Sequence, residues 1–142
     1  MWVLLDTNII VGAMLRDGGS ARAVLRLCLQ GDVQPLIGVA LFAEMEDVLS
    51  HEHLFQSSKL TQAERQELFA AFLSVTQWVP IYYTWRPNLR DEADNHVVDL
   101  AVAGNAEYIV TQNTRDFENT SLQFPQLKLA TAAEFLELWR KI

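Results

Sequence analysis

Apolar and polar positions divide the chain into short unbroken apolar runs and longer stretches with helical spacing, which predicts strands alternating with helices. The first run, Trp2 to Leu5, ends at Asp6-Thr7-Asn8, and a second apolar run begins at Ile9. Four apolar residues without alternation suit a strand buried on both faces, and the polar triplet marks where it stops. Residues 12–20 read as a loop: Gly18-Gly19 frees the backbone and Ser20 is placed to cap a helix. That helix covers about residues 21–30, turns Val24, Leu27 and Cys28 inward, and ends at Gly31. A second strand spans residues 33–37, where Pro35 suits the start of the strand or an exposed edge.

Gly38 leads into a helix over about residues 39–50 with an apolar stripe of Leu41, Met45, Val48 and Leu49. Glu44 lies beside that stripe rather than opposite Leu41 and Val48, and the spacing by itself suits a solvated surface glutamate better than a functional one. Residues 51–58 form a polar connection. Thr61 and Glu64 have capping-box spacing, and the helix they start points Leu68, Phe69, Phe72 and Leu73 inward, in a hairpin with the preceding helix. Residues 78–83 read as a short extended piece. The stretch LRDEADNHVVDLAVAGNA, residues 89–106, gives a helix with Asp91 as cap and Asp94 in its first turn. Asp91, Asn95 and Asp99 share one of its faces. EYIVT, residues 107–111, is a strand followed by Asn113 and Asp116; residues 127–130 are a last strand. Thr131 and Glu134 form another capping box, opening a helix over residues 132–140 that uses Phe135, Leu138 and Trp139.

Composition narrows the class. A chain of 142 residues, 50% hydrophobic and 20% charged, is expected to form one domain over residues 1–142 rather than a disordered or basic arm. Its net charge of −7 excludes a uniformly positive nucleic-acid surface, while an acidic cluster holding a divalent metal would account for part of that charge. Cys28 is the single cysteine, so an intrachain disulfide is excluded. Neither a signal-peptide pattern nor an 18-residue apolar span is evident, so the expectation is a cytoplasmic protein without a membrane association.

Several chemistries are absent. Gly12, Gly18 and Gly19 do not make a dinucleotide fingerprint, there is no GK[ST] loop, and Ser20 and Ser121 lack a nucleophile elbow. His51 and His53 have no third soft ligand nearby for zinc. Carboxylates remain: Asp6, Glu44, Asp94 and Asp116. Hard oxygen donors of this kind suit Mg²⁺ or Mn²⁺. If the strands are parallel, Asp6 and the cluster after residue 111 reach the same sheet edge.

LDTNII, FAEMEDVL, RDEADNHVVDLAVAGNAEYIVTQNTRDF and TAAEFLELW together resemble the PIN-domain ribonucleases, in particular the small bacterial group typified by toxin components of toxin–antitoxin pairs. The resemblance runs from Leu5 to about Trp139. It implies a three-layer α/β/α domain with a central parallel sheet, metal-dependent endoribonuclease activity, and a homodimer inhibited by a small antitoxin protein. Carried over by position, the family's acids fall on Asp6, Glu44 and Asp94. Many members have an aspartate where this chain has Asn113; others share its T-x-N-x-x-D-F pattern, which assigns the last acid to Asp116 and a water- or phosphate-positioning role to Asn113. Where another common pattern has an acid directly before Asp94, this chain has Ala93.

On this reading Asp6, Glu44, Asp94 and Asp116 are both catalytic residues and ligands of Mg²⁺ or Mn²⁺. Thr7, Asn8, Asp91, Asn95, Asp99, Thr111 and Asn113 support them, and in-line hydrolysis of RNA leaves a 3′-hydroxyl and a 5′-phosphate. Arg16, Arg90 and Arg115 are candidates to guide the RNA backbone. Two alternatives stand beside it: a PIN-fold RNA or protein interaction module whose metal site is too weak to turn over, favoured by Asn113 and Ala93, and a small metal-dependent phosphatase.

Overall fold

Val3, Leu4 and Leu5 lose essentially all contact with solvent, as an unalternating apolar run requires of a strand covered on both faces. They form β1 (Trp2–Leu5), the central strand of the computed structural model, which describes residues 1–80, 95–117 and 124–141. On one side β1 pairs with β2 (Gln34–Ile37), and β2 with β3 (Gln77–Trp78). On the other, β1 pairs with β4 (Tyr108–Val110), and β4 with β5 (Lys128–Ala130). Every pairing is parallel, in the order β3-β2-β1-β4-β5. Pro35 faces Val3 across the β1 pairing but precedes Leu36, where the β3 pairing begins. It therefore sits early in an interior strand, where its missing N–H takes nothing from the β2–β3 ladder.

Among the described residues six α-helices flank this sheet: α1 (Thr7–Leu15), α2 (Ser20–Leu29), α3 (Val39–Leu49), α4 (Gln62–Val75), α5 (Asn95–Ala103) and α6 (Ala132–Arg140). The α1 helix corrects the expected loop over residues 12–20. Ile9, Ile10, Ala13 and Met14 are buried at helical spacing, and that apolar face outweighs the roughly 1 kcal/mol that Gly12 costs a helix interior. The glycine also lets α2 come close, since a Cβ at Gly12 would lie 3.3 Å from that of Ala21. Ser20 is the first helical residue of α2, and Gly19 takes the cap position instead.

Packing follows from the strand order. The connections from β1 to β2 and from β2 to β3 run in one direction across the sheet, and right-handed crossover places their helices on one face. There α1 packs on α2 and α3, and α2 on α4 and α6. The path back to β4 runs the other way and brings α5 against β1 and β2. The capping boxes of α4 and α6 are both complete. Between α3 and α4, the two helices expected to form a hairpin, lies a groove of about 340 Å³, and Phe42 of α3 stacks on Phe69 of α4 at 6.2 Å. On α6 the inward face is Ala132, Phe135, Leu136 and Trp139, while Leu138 is 42% exposed. Leu138 falls off the 132, 135, 136, 139 helical stripe, which corrects its expected inward position. Among the described residues no helix is long and apolar enough to cross a membrane.

Candidate active site

Strand order reverses at β1: β2 lies on one side of it, and β4, reached only after β3, on the other. In open parallel sheets such a switch point leaves a crevice at the carboxyl ends of the strands. Asp6 follows β1 and Thr111 follows β4, so the two residues face each other across it. The Thr111 hydroxyl donates to Asp6 Oδ2 at 2.9 Å. Asp6 is also the N-cap of α1, its Oδ1 accepting from the Thr7 backbone N–H at 2.8 Å. The capping and functional readings of Asp6 are thus compatible: one oxygen anchors the helix while the carboxylate faces the crevice.

Asn8 ties the two strand ends together. Its Nδ2 donates to Thr111 Oγ1 at 3.2 Å, and its Oδ1 accepts from the Gln112 backbone N–H at 3.1 Å. The Asn113 backbone N–H also donates to Thr111 Oγ1, at 3.1 Å. Thr111 is fully buried, so each bond replaces one that water would otherwise make.

Glu44 reaches the same crevice from α3. Its Oε1 accepts from the Thr7 hydroxyl, and its Oε2 lies 2.8 Å from His96 Nε2 on α5. Asp6, Thr7, Asn8, Glu44 and Asn113, with Val11 and Val48, line a cavity of about 310 Å³. The two acids are tuned oppositely. Burial pushes the Asp6 carboxyl up, against the hydrogen bonds from Thr111 and Thr7, and the Glu44 charge adds to the rise. Glu44 is held below its ordinary range, first by the His96 hydrogen bond, which with the Thr7 hydroxyl outweighs its partial burial. Among the described residues no lysine or arginine pairs with either acid.

The other expected site residues are placed differently. Asp116 is exposed on the one-turn 3-10 helix Thr114–Phe117 and does not line the cavity; Asn113 does. Asp99 is buried on α5. Arg115 is exposed beside Asp116. Arg16 caps the far end of α1, nine helical residues and about 13 Å along the axis from Asp6, because the expected loop is a helix. Arg90, Asp91 and Asp94 lie outside the described residues, as does the side chain of Asn95, the first residue of α5. His96 is the site residue that reading the sequence missed; its only signal was its place in the D-N-H triplet.

The donor set fits a hard divalent cation. A carboxylate desolvated without a cationic side chain beside it gains most from such an ion, and the oxygens of Asp6 and Glu44 open onto one cavity. Among the described residues no three of His, Cys, Asp and Glu are grouped closely enough to share an ion, so the pair needs a further donor.

The family model of the PIN domain matches residues 2–115. Among solved structures, a chain of VapBC2 from Rickettsia felis, bound to a DNA fragment from their promoter, is similar with a TM-score of 0.60 and 23% identity. The match covers 91% of this chain and 97% of that one, and at this identity it speaks for the fold. No curated protein matches the chain.

Proposed function

Because the chain belongs to the PIN-domain family, we propose that it is an Mg²⁺- or Mn²⁺-dependent endoribonuclease acting in the cytoplasm as the toxin component of a toxin–antitoxin pair. The carrying observation is the buried Asp6 at the sheet's switch point, bonded to Thr111, with Glu44 beside it on the same cavity. Asp6, Glu44 and Asp94 would hold the ion. When bound, it supplies positive charge that stabilises a transferring phosphoryl group and acidifies water. Thr7 and His96 orient Glu44, while Thr111 and Asn8 orient Asp6. Asn113 presents an amide to the cavity, able to bond a phosphate oxygen or a water. Asp116, exposed three residues past Asn113, is the fourth acid of this reading, and Arg115 beside it is a contact with the RNA backbone. A homodimer and a small antitoxin protein are the partners this reading implies.

The test is cleavage of a mixed set of labelled RNA oligonucleotides with EDTA, Mg²⁺ or Mn²⁺, alongside folded Asp6→Asn and Asp94→Asn variants. Metal-dependent cutting by the wild type, lost in both variants, is expected. A well-folded wild type that binds RNA without cutting it would favour the interaction-module reading, which the neutral Asn113 on the cavity wall supports. Release of phosphate from small monoesters with RNA left intact would favour a phosphatase.

A further inference from the structure

Glu44 is a long side chain on a half-exposed position of α3, and fixing such a side chain costs rotamer entropy. Two other helices hold it. Thr7 of α1 donates to Oε1, and His96 of α5 stands 2.8 Å from Oε2. Each carboxylate oxygen keeps another lone pair, so both bonds leave Glu44 able to ligate. The ring that does the holding is itself only 18% exposed. Its Nδ1 is buried and has no hydrogen-bond partner among the described residues, an arrangement whose cost an ordinary surface pair would avoid. Among the described residues Glu44 is therefore the imidazole's one hydrogen-bond partner.

We propose that His96 is a positioning residue, whose imidazole fixes the Glu44 carboxylate in the orientation that binds the divalent cation. This rests on the metal-site reading above. Groups that orient a ligand without touching the ion typically contribute 10–100-fold in metal affinity.

Calorimetric titration of the full chain with Mn²⁺ tests it, with folding checked by circular dichroism. His96→Phe keeps a ring but loses the donor, and is expected to weaken Mn²⁺ binding about 10–100-fold. His96→Gln, which can still donate an N–H to Glu44, should recover most of that loss. Combined with Glu44→Ala, His96→Phe should cause no further loss. His96→Ala repeats the comparison if the larger ring disturbs folding. Wild-type affinity in folded His96→Phe or His96→Ala overturns the proposal and leaves the metal site standing. An equal loss in His96→Gln that persists in the Glu44→Ala background also overturns it, since the imidazole would then meet the ion directly. Absence of Mn²⁺ binding by the wild type overturns the metal-site reading and this proposal with it.

Discussion

Asp6 and Glu44 face one cavity but respond to pH in opposite senses. The Asp6 carboxyl is raised above its ordinary value of 3.8 by burial, so its contribution to stability is complete below 3.8 and is lost as pH rises through the raised value. At neutral pH and without metal, the ionised form carries a desolvation cost. Asp6→Asn should therefore raise the melting temperature in EDTA at pH 7 while abolishing cleavage, and a lower melting temperature would contradict this. Glu44 is lowered from 4.5 by His96; its contribution is present above 4.5 and is lost as pH falls through the lowered value. Glu44→Gln should lower the melting temperature at pH 7, with the gap to wild type closing in acid; an unchanged gap at low pH would contradict this. Asp6 was legible because a polar residue ending a buried strand has a predictable place. For Glu44 the spacing favoured a solvated surface glutamate. Its bonds to Thr7 and His96 join residues 37 and 52 positions away, which no local pattern encodes.

Among the elements, the two capping boxes were readable because the groups that bond lie three residues apart. Thr131→Ala removes the acceptor for the Glu134 N–H and should cost about 1 kcal/mol in urea unfolding. Arg65 shows the converse. Its charge alone would keep it in solvent, yet its side chain is 8% exposed and bonds both Glu52 oxygens at 2.6 and 2.7 Å. It also donates to the Leu60 carbonyl at 2.9 Å and lies 4.7 Å over the Phe55 ring. This clamp holds the one-turn helix Glu52–Phe55 on α4. Arg65→Ala should destabilise by about 1–3 kcal/mol, since it removes hydrogen bonds to a charged partner and the packing of the Arg65 side chain over Phe55, and amide exchange should rise first around residues 52–60. Uniformly faster exchange would mean that the clamp is not local. The α1 helix was misread because two glycines and a serine beyond it outweighed an apolar spacing that fits strand and helix alike over so few residues.

For the whole molecule, the net charge of −7 and the acids beside the sheet's switch point favour a bound cation. Mn²⁺ at about 100 times its dissociation constant should stabilise the wild type by about 2.7 kcal/mol, read as a rise of several degrees in melting temperature that EDTA reverses. Asp6→Asn should show little of that rise; an equal rise would place the ion elsewhere. By itself the sequence determined the strands, most helices, both capping boxes and the place of Asp6 at the end of a buried strand, because apolar periodicity and capping chemistry act over a few residues. Only the tertiary structure decided that β4 returns beside β1, and with it the Asp6–Thr111 bond, the His96 support of Glu44 and the presence of Asn113 rather than Asp116 at the cavity. Those depend on how distant segments pack around one sheet, and the free energy that selects that packing belongs to the assembled core rather than to any stretch of the chain.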